Sequence, residues 1–123
     1  MIGGVVNNFR EAVILLTVRG PTGPEQEMEA VVDTGFNGWL SLPSAIITLL
    51  NLPFRRRGRA ILADGSETIF DIYEAIAILD GKPHRVSVDE ADADPLVGMG
   101  LLYGYKLIVE VINGGKVTIE SLS

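Results

Sequence analysis

The run Val31-Val32-Asp33-Thr34-Gly35 sets a carboxylate directly after two β-branched apolar residues and directly before a small turn. Such a run reads as the end of a buried strand, where an isolated charge is costly. An acid in that place either closes the strand as a turn former or is held there for proton transfer to and from a substrate. Other reactive side chains have weaker surroundings. His84 is the only histidine, and no nucleophile motif accompanies it, so it reads as a strand-edge or turn residue rather than a triad member. Asp89, Glu90, Asp92 and Asp94 are crowded together, but they lack the ligand spacing and the glycine of a calcium loop and read as a solvated acidic loop. The chain has no cysteine, which removes disulfides, thiolate nucleophiles and thiolate metal sites together.

The elements that carry Asp33 follow from alternation and turn residues. Glu11 to Arg19 reads as a strand, Gly20-Pro21-Thr22-Gly23-Pro24 as a turn, and Glu25 to Val32 as the returning strand. In that second arm Glu25, Glu27 and Glu29 alternate with Met28, Ala30 and Val32, the period of a half-buried strand. Trp39 to Leu42 is a short strand, with Trp39 expected in the core, and Pro43 to Leu50 is a helix with Pro43 in its first turn. The basic run Arg55-Arg56-Arg57-Gly58-Arg59 is expected as a solvated loop after that helix. Arg59 to Leu62 and Glu67 to Leu79 are strands about an Asp64-Gly65 turn, and Asp80-Gly81 turns the chain into a strand at His84 to Val88. Leu96-Val97-Gly98 is a short apolar strand, and Met99 to Tyr103 begins a short helix that Tyr103 and Tyr105 are expected to cover. Lys106 to Ile112 and Lys116 to Leu122 form a last hairpin about Asn113-Gly114-Gly115.

A chain of 123 residues fits one domain, taken as residues 1–123. Hydrophobic residues at 47% with 14 glycines suit a turn-rich β protein and argue against disorder. A formal charge of −6 disfavours nucleic acid as a partner. The apolar stretches around Ile46 to Leu52 and Leu107 to Ile112 are too short to span a bilayer, and Met1-Ile2-Gly3-Gly4 lacks the basic start of a secretory signal. A cytoplasmic protein that does not engage membranes is therefore expected.

The order of these features is a hairpin, Asp-Thr-Gly, strand, helix, a second hairpin tipped by Asp-Gly, then two apolar residues and glycine before a short helix. It resembles the retropepsin-like (clan AA) aspartic proteases, from about Glu11 to Leu122. The anchors are Val32-Asp33-Thr34-Gly35, Leu40-Ser41-Leu42-Pro43 leading into the helix, and Leu96-Val97-Gly98-Met99-Gly100-Leu101-Leu102. Phe36 after Gly35 is similar to a bacterial and archaeal branch. The resemblance implies an all-β fold, a closed β-barrel with one or two short helices. It implies that Asp33 is catalytic, that the Thr34 hydroxyl reaches across a dimer axis, and that Gly35 lets backbone pass close to substrate. Phe36 and Asn37 would lie along the substrate, Ala63-Asp64-Gly65-Ser66 would be the tip of a flap over it, and Leu96-Val97-Gly98 would support the catalytic loop. Three positions depart from the viral pattern: Phe36 replaces a small residue, Asn37 and Met99 stand where an Asp and an Arg pair, and Gly100 replaces an Asn or Asp. Loss of both members of that pair leaves neither charge stranded.

The implied chemistry needs two aspartates, and the sequence holds one Asp-Thr-Gly. A symmetric homodimer acting on a peptide or protein substrate is therefore expected, with no cofactor and no metal. Two carboxylates about 3 Å apart repel by roughly 5 kcal/mol at an effective dielectric of about 20. One stays ionised as general base on a shared water, and its partner keeps a proton and polarises the scissile carbonyl. The competing reading is a dimerising or peptide-binding module that keeps the fold without turnover.

Overall fold

In the computed structural model, which describes residues 2–123, burial with a period of two organises the chain. The strands are β1 (Ile2–Val6), β2 (Ala12–Arg19), β3 (Glu25–Val32), β4 (Leu40–Leu42), β5 (Phe54–Ile61), β6 (Glu67–Leu79), β7 (Lys82–Glu90), β8 (Leu96–Val97), β9 (Tyr105–Val109) and β10 (Lys116–Ser121). Two short helices, α1 (Ser44–Leu49) and α2 (Met99–Leu102), complete it. Strand β2 buries Ile14, Leu16 and Val18 and leaves Leu15 in solvent. Strand β3 answers with Met28 and Ala30 inward and its glutamates outward, Leu16 lying opposite Met28. The turn into β7 takes Asp80 and Gly81 at φ 55° and 74°, the left-handed pair that suits a two-residue hairpin.

All ten strands join one sheet in the order β5-β6-β7-β4-β8-β3-β2-β1-β10-β9, and β6 pairs a second time with β2. The expected closure therefore takes the form of a circuit of pairings through β6, β7, β4, β8, β3 and β2, with β5 on one side and the β1-β10-β9 run on the other. Strand β8 threads between β3, to which it is parallel, and β4, to which it is antiparallel. Its Val97 pairs with Val32, so the residue after β3 emerges beside the end of β8. Leu40 and Leu42 of β4, Val88 of β7, Leu50 after α1, and Leu101 and Leu102 of α2 pack around this junction as part of the core.

The all-β reading holds, and four expectations are corrected. Residues Ile2 to Val6 form a strand that alternation alone did not reveal, since two glycines interrupt it. The arginine run is not a loop: it is the body of β5, antiparallel to β6, and Arg55, Arg57 and Arg59 pair with Glu74, Asp71 and Glu67. Asp89 and Glu90 end strand β7 instead of opening a loop. Trp39 is exposed, and so is Tyr103, while Tyr105 lies in β9 and faces His84, Oη to Nε2 at 3.1 Å. Among the described residues no helix is long and apolar enough to cross a membrane.

Leu40 is wholly enclosed where β4, β7 and β8 meet. Leu40→Ala is expected to lower unfolding free energy by about 2–5 kcal/mol, whereas Leu15→Ala on the open face should stay within about 0.5 kcal/mol. Urea unfolding of both variants checks the contrast.

Candidate active site

The loop that follows β3 begins as a continuation of the ladder: the Asp33 N–H donates to the Val97 carbonyl at 2.9 Å. The chain then turns, with the Phe36 N–H donating to the Asp33 carbonyl at 3.1 Å. Inside the turn the Gly35 N–H donates to Asp33 Oδ1 at 3.0 Å, which fixes the carboxylate rotamer. A Cβ at position 35 would sit 3.3 Å from that oxygen, so a glycine keeps the approach open. Asp33 keeps partial solvent access and Thr34 is exposed. Both line a hollow of about 430 Å³ together with Val32, Leu96, Arg10 and Val111.

Beyond Phe36 the loop has no ladder of its own and is held from outside. The N–H groups of Gly98, Met99 and Gly100 donate to the carbonyls of Trp39, Phe36 and Gly38 at 3.1, 2.8 and 2.9 Å. Backbone lies on backbone here. A Cβ on Gly98 would collide with Gly38 O and come within 2.7 Å of Phe36 Cδ2, and one on Gly100 within 2.8 Å of Gly38 O. Gly98 has φ −99°, which any residue adopts, so space and not conformation requires glycine there. The Phe36 ring also covers Gly38, whose Cβ would fall 2.5 Å from it. The bulky Phe36 is thus accommodated by missing side chains at 38 and 98.

Phe36 has a second surface. It lines a hollow of about 560 Å³ with Ser41, with Thr68 to Asp71 of β6, and with Asp89 to Asp92. Phe36 therefore shares one hollow with the stem of the β5–β6 hairpin. Asp33 and Thr34 lie in the neighbouring hollow, Asn37 is exposed on the loop, and Leu96-Val97-Gly98 lies against the loop. The hairpin tip stands apart. Ala63, Asp64, Gly65 and Ser66 are exposed. Their turn is nevertheless built: Gly65 N–H donates to Leu62 O at 2.9 Å, and Asp64 Oδ1 accepts from Ser66 N and Oγ at 2.9 and 2.6 Å. The Ser66 bonds hold the Asp64 carboxyl below the usual range. On the stem, Phe70 lies opposite Gly58 and covers it.

Sequence reasoning did not single out Asp89 as a site residue. It ends β7 inside the larger hollow, close to Gly38, and burial raises its carboxyl pKa against the opposing pull of Arg56. The residue pattern did not mark it: the alternation set by buried Val86 and Val88 stops before Asp89 and Glu90, which are both half-buried.

This geometry can be set beside known proteins. No family model matches the sequence, and no curated protein matches it. Among solved structures, the chain is similar to a retropepsin-like aspartic protease from Rickettsia conorii, with a TM-score of 0.61 and 14% identity over 99% of this chain and 91% of that one. The fold is retropepsin-like. At that identity the likeness speaks to the fold, and the site rests on the side chains described above.

Two predictions follow the geometry. Gly98→Ala should cost about 1–3 kcal/mol by forcing the seam apart, while Gly23→Ala, with open space around it, should cost little; thermal melts of the pair check this. A carboxyl whose pKa is raised on folding binds its proton more tightly in the native state. Its favourable contribution is complete below the ordinary value of about 3.9 and is lost as pH rises through the folded pKa. Asp89→Asn is therefore expected to melt above the parent chain at neutral pH and to lose that advantage in acid, measured by melting temperature against pH.

Proposed function

We propose that the chain is one half of an aspartic endopeptidase, in which Asp33 and the Asp33 of a second copy share one water between them. The observation that carries this reading is a carboxylate with solvent access, fixed by the Gly35 N–H on a loop clamped to β8 and α2, in a retropepsin-like fold. One carboxylate per chain cannot serve as base and acid at once, so the site is complete only across a two-fold axis.

In this mechanism the ionised Asp33 takes a proton from the water as its oxygen attacks the scissile carbonyl carbon. The protonated partner donates to the carbonyl oxygen. Collapse of the tetrahedral species breaks the C–N bond, and the leaving nitrogen takes up a proton from the dyad. The Thr34 hydroxyl holds the two loops together across the axis. Phe36 and Asn37 line the path of an extended peptide. The hairpin tip at Ala63, Asp64, Gly65 and Ser66 closes over that peptide, which lies as an added strand. Leu96, Val97 and Gly98 are supports. A cytoplasmic setting and a single domain over residues 1–123 belong to the same proposal.

Peptide cleavage from about pH 3 to pH 8 tests it. A bell-shaped profile is expected, because one proton must be present and one absent. Asp33→Asn is expected to lose at least about a thousandfold in kcat with its melting curve kept. Equal turnover in the two proteins would remove Asp33 from the chemistry. Peptide binding without turnover in either would leave the peptide-binding module in its place.

A further inference from the structure

We infer that the second copy of the chain seats on two turn tips flanking Asp33: the β1–β2 turn at Phe9, and the β9–β10 turn at Val111 and Ile112. This rests on the shared-aspartate reading above and names the surface that would bring the two carboxylates together.

The three side chains are among the most open large apolar groups of the protein, at 78%, 73% and 69% exposure for Phe9, Val111 and Ile112. Single exposed apolar residues are ordinary, but these sit on adjoining turns. Val111 lines the hollow of Asp33 and Thr34, and Val111 and Ile112 line the next one, which reaches Asn8 and Arg10 on either side of Phe9.

Both turns are tied by hydrogen bonds. Asn7 Oδ1 accepts the N–H groups of Phe9 and Glu11, each at 3.0 Å, and Asn7 Nδ2 donates to Glu11 Oε1 at 2.9 Å. Arg10 is held at φ 65°, a conformation a non-glycine residue keeps only when its surroundings impose it. In the other turn the Ile112 N–H donates to Glu110 O and the Gly115 N–H to Ile112 O, both at 2.8 Å. The turns are tied to each other through Val6, whose N–H donates to Gly115 O and whose carbonyl accepts from Gly114, both at 2.9 Å. Apolar groups held out on preset backbone lose little freedom on association.

A second copy is the occupant because the site is a half-site, and a two-fold contact sets each patch against its own image. An apolar patch is complementary to itself, whereas a charged one is not. Strands β1 and β10 have no open edge to offer a second copy, and β9 carries the open edge of that run. Strand β1 is paired on both sides, to β10 and β2, and β10 is paired on both sides, to β1 and β9.

Sedimentation equilibrium of the whole chain tests this, with Phe9→Asp, Val111→Asp, and Leu15→Asp on the separate open face of β2. The inference expects a parent dimer whose dissociation constant rises about a hundredfold or more in Phe9→Asp and Val111→Asp and stays put in Leu15→Asp, with the circular dichroism of the fold kept and equal melting temperatures at dilutions where every chain is monomeric. Phe9→Ser and Val111→Ser repeat the test without the added charge if a turn is disturbed. A dimer that survives the turn variants, or one lost in Leu15→Asp alone, overturns the surface and leaves the shared-aspartate reading standing. A parent chain that stays monomeric while it cleaves peptide overturns both.

Discussion

A seam of backbone hydrogen bonds holds the candidate site together. Residues 36 to 39 belong to no strand or helix, yet they carry the residues around Asp33 and Phe36. Their carbonyls are met by the N–H groups of Gly98, Met99 and Gly100. Each bond contributes only about 0.5–1.5 kcal/mol net, but a buried carbonyl left without its donor costs more than the bond gave. The seam therefore either closes as a whole or fails as a whole. Closing it requires two chain segments to approach without Cβ atoms between them, which Gly98 and Gly100 provide. Strand β8 sets the position of the seam. Its two residues are pinned between β3 and β4, with Val97 wholly buried.

The floor so formed contrasts with the β5–β6 arm. From Phe54 to Ile69 nearly every residue is exposed, and only where β6 reaches Ile72 does alternating burial begin. An isolated two-stranded ribbon is marginal in water. This one is organised by local means: the ionic pairs of Arg55, Arg57 and Arg59 along β5, the Phe70 ring over Gly58, and the Asp64–Ser66 bonds in the turn. Exposed ion pairs of this kind hold weakly. The molecule thus sets a loop bearing the carboxylate, tied down by backbone bonds, beside an arm held mainly by local contacts. Phe36 lines one hollow with the stem of that arm.

How much of this could be read in advance depended on whether residue type records the force at work. Strands β2, β3 and β6 were legible because one face is buried and one is not, and the Asp64-Gly65 and Asp80-Gly81 turns because left-handed backbone selects those residues. Asp33 was legible as an acid where an acid is out of place. Strand β5 was legible only at its far end, from Arg59, because both its faces meet solvent and an arginine run carries no alternation. Strand β1 was hidden by Gly3 and Gly4, and Gly4 is explained only by the Val13 carbonyl it lies against. The seam was least legible of all. Main-chain hydrogen bonds leave no mark on side-chain type except missing side chains, and Gly100 read as a departure from a family pattern until Gly38 was seen beneath it.

The charge of the chain bears on how such a site would be completed. Bringing two copies together would double a formal charge of −6 and, in the proposed pairing, set an Asp33 from each at the axis. Long-range electrostatics therefore oppose the encounter, although at physiological salt they are screened beyond about 8 Å. Any net attraction must then act at short range, through apolar area removed from water. That constraint favours an arrangement in which the carboxylate is set back in a hollow and apolar groups on hydrogen-bonded turns project beyond it. The protein has this arrangement around Asp33: partial burial of the acid, exposure of Phe9, Val111 and Ile112, and Arg10 as the basic residue on the rim. In the proposed pairing the two acids, set back in this way, would keep a water between them, and their proximity would be imposed by contacts in which neither charge takes part.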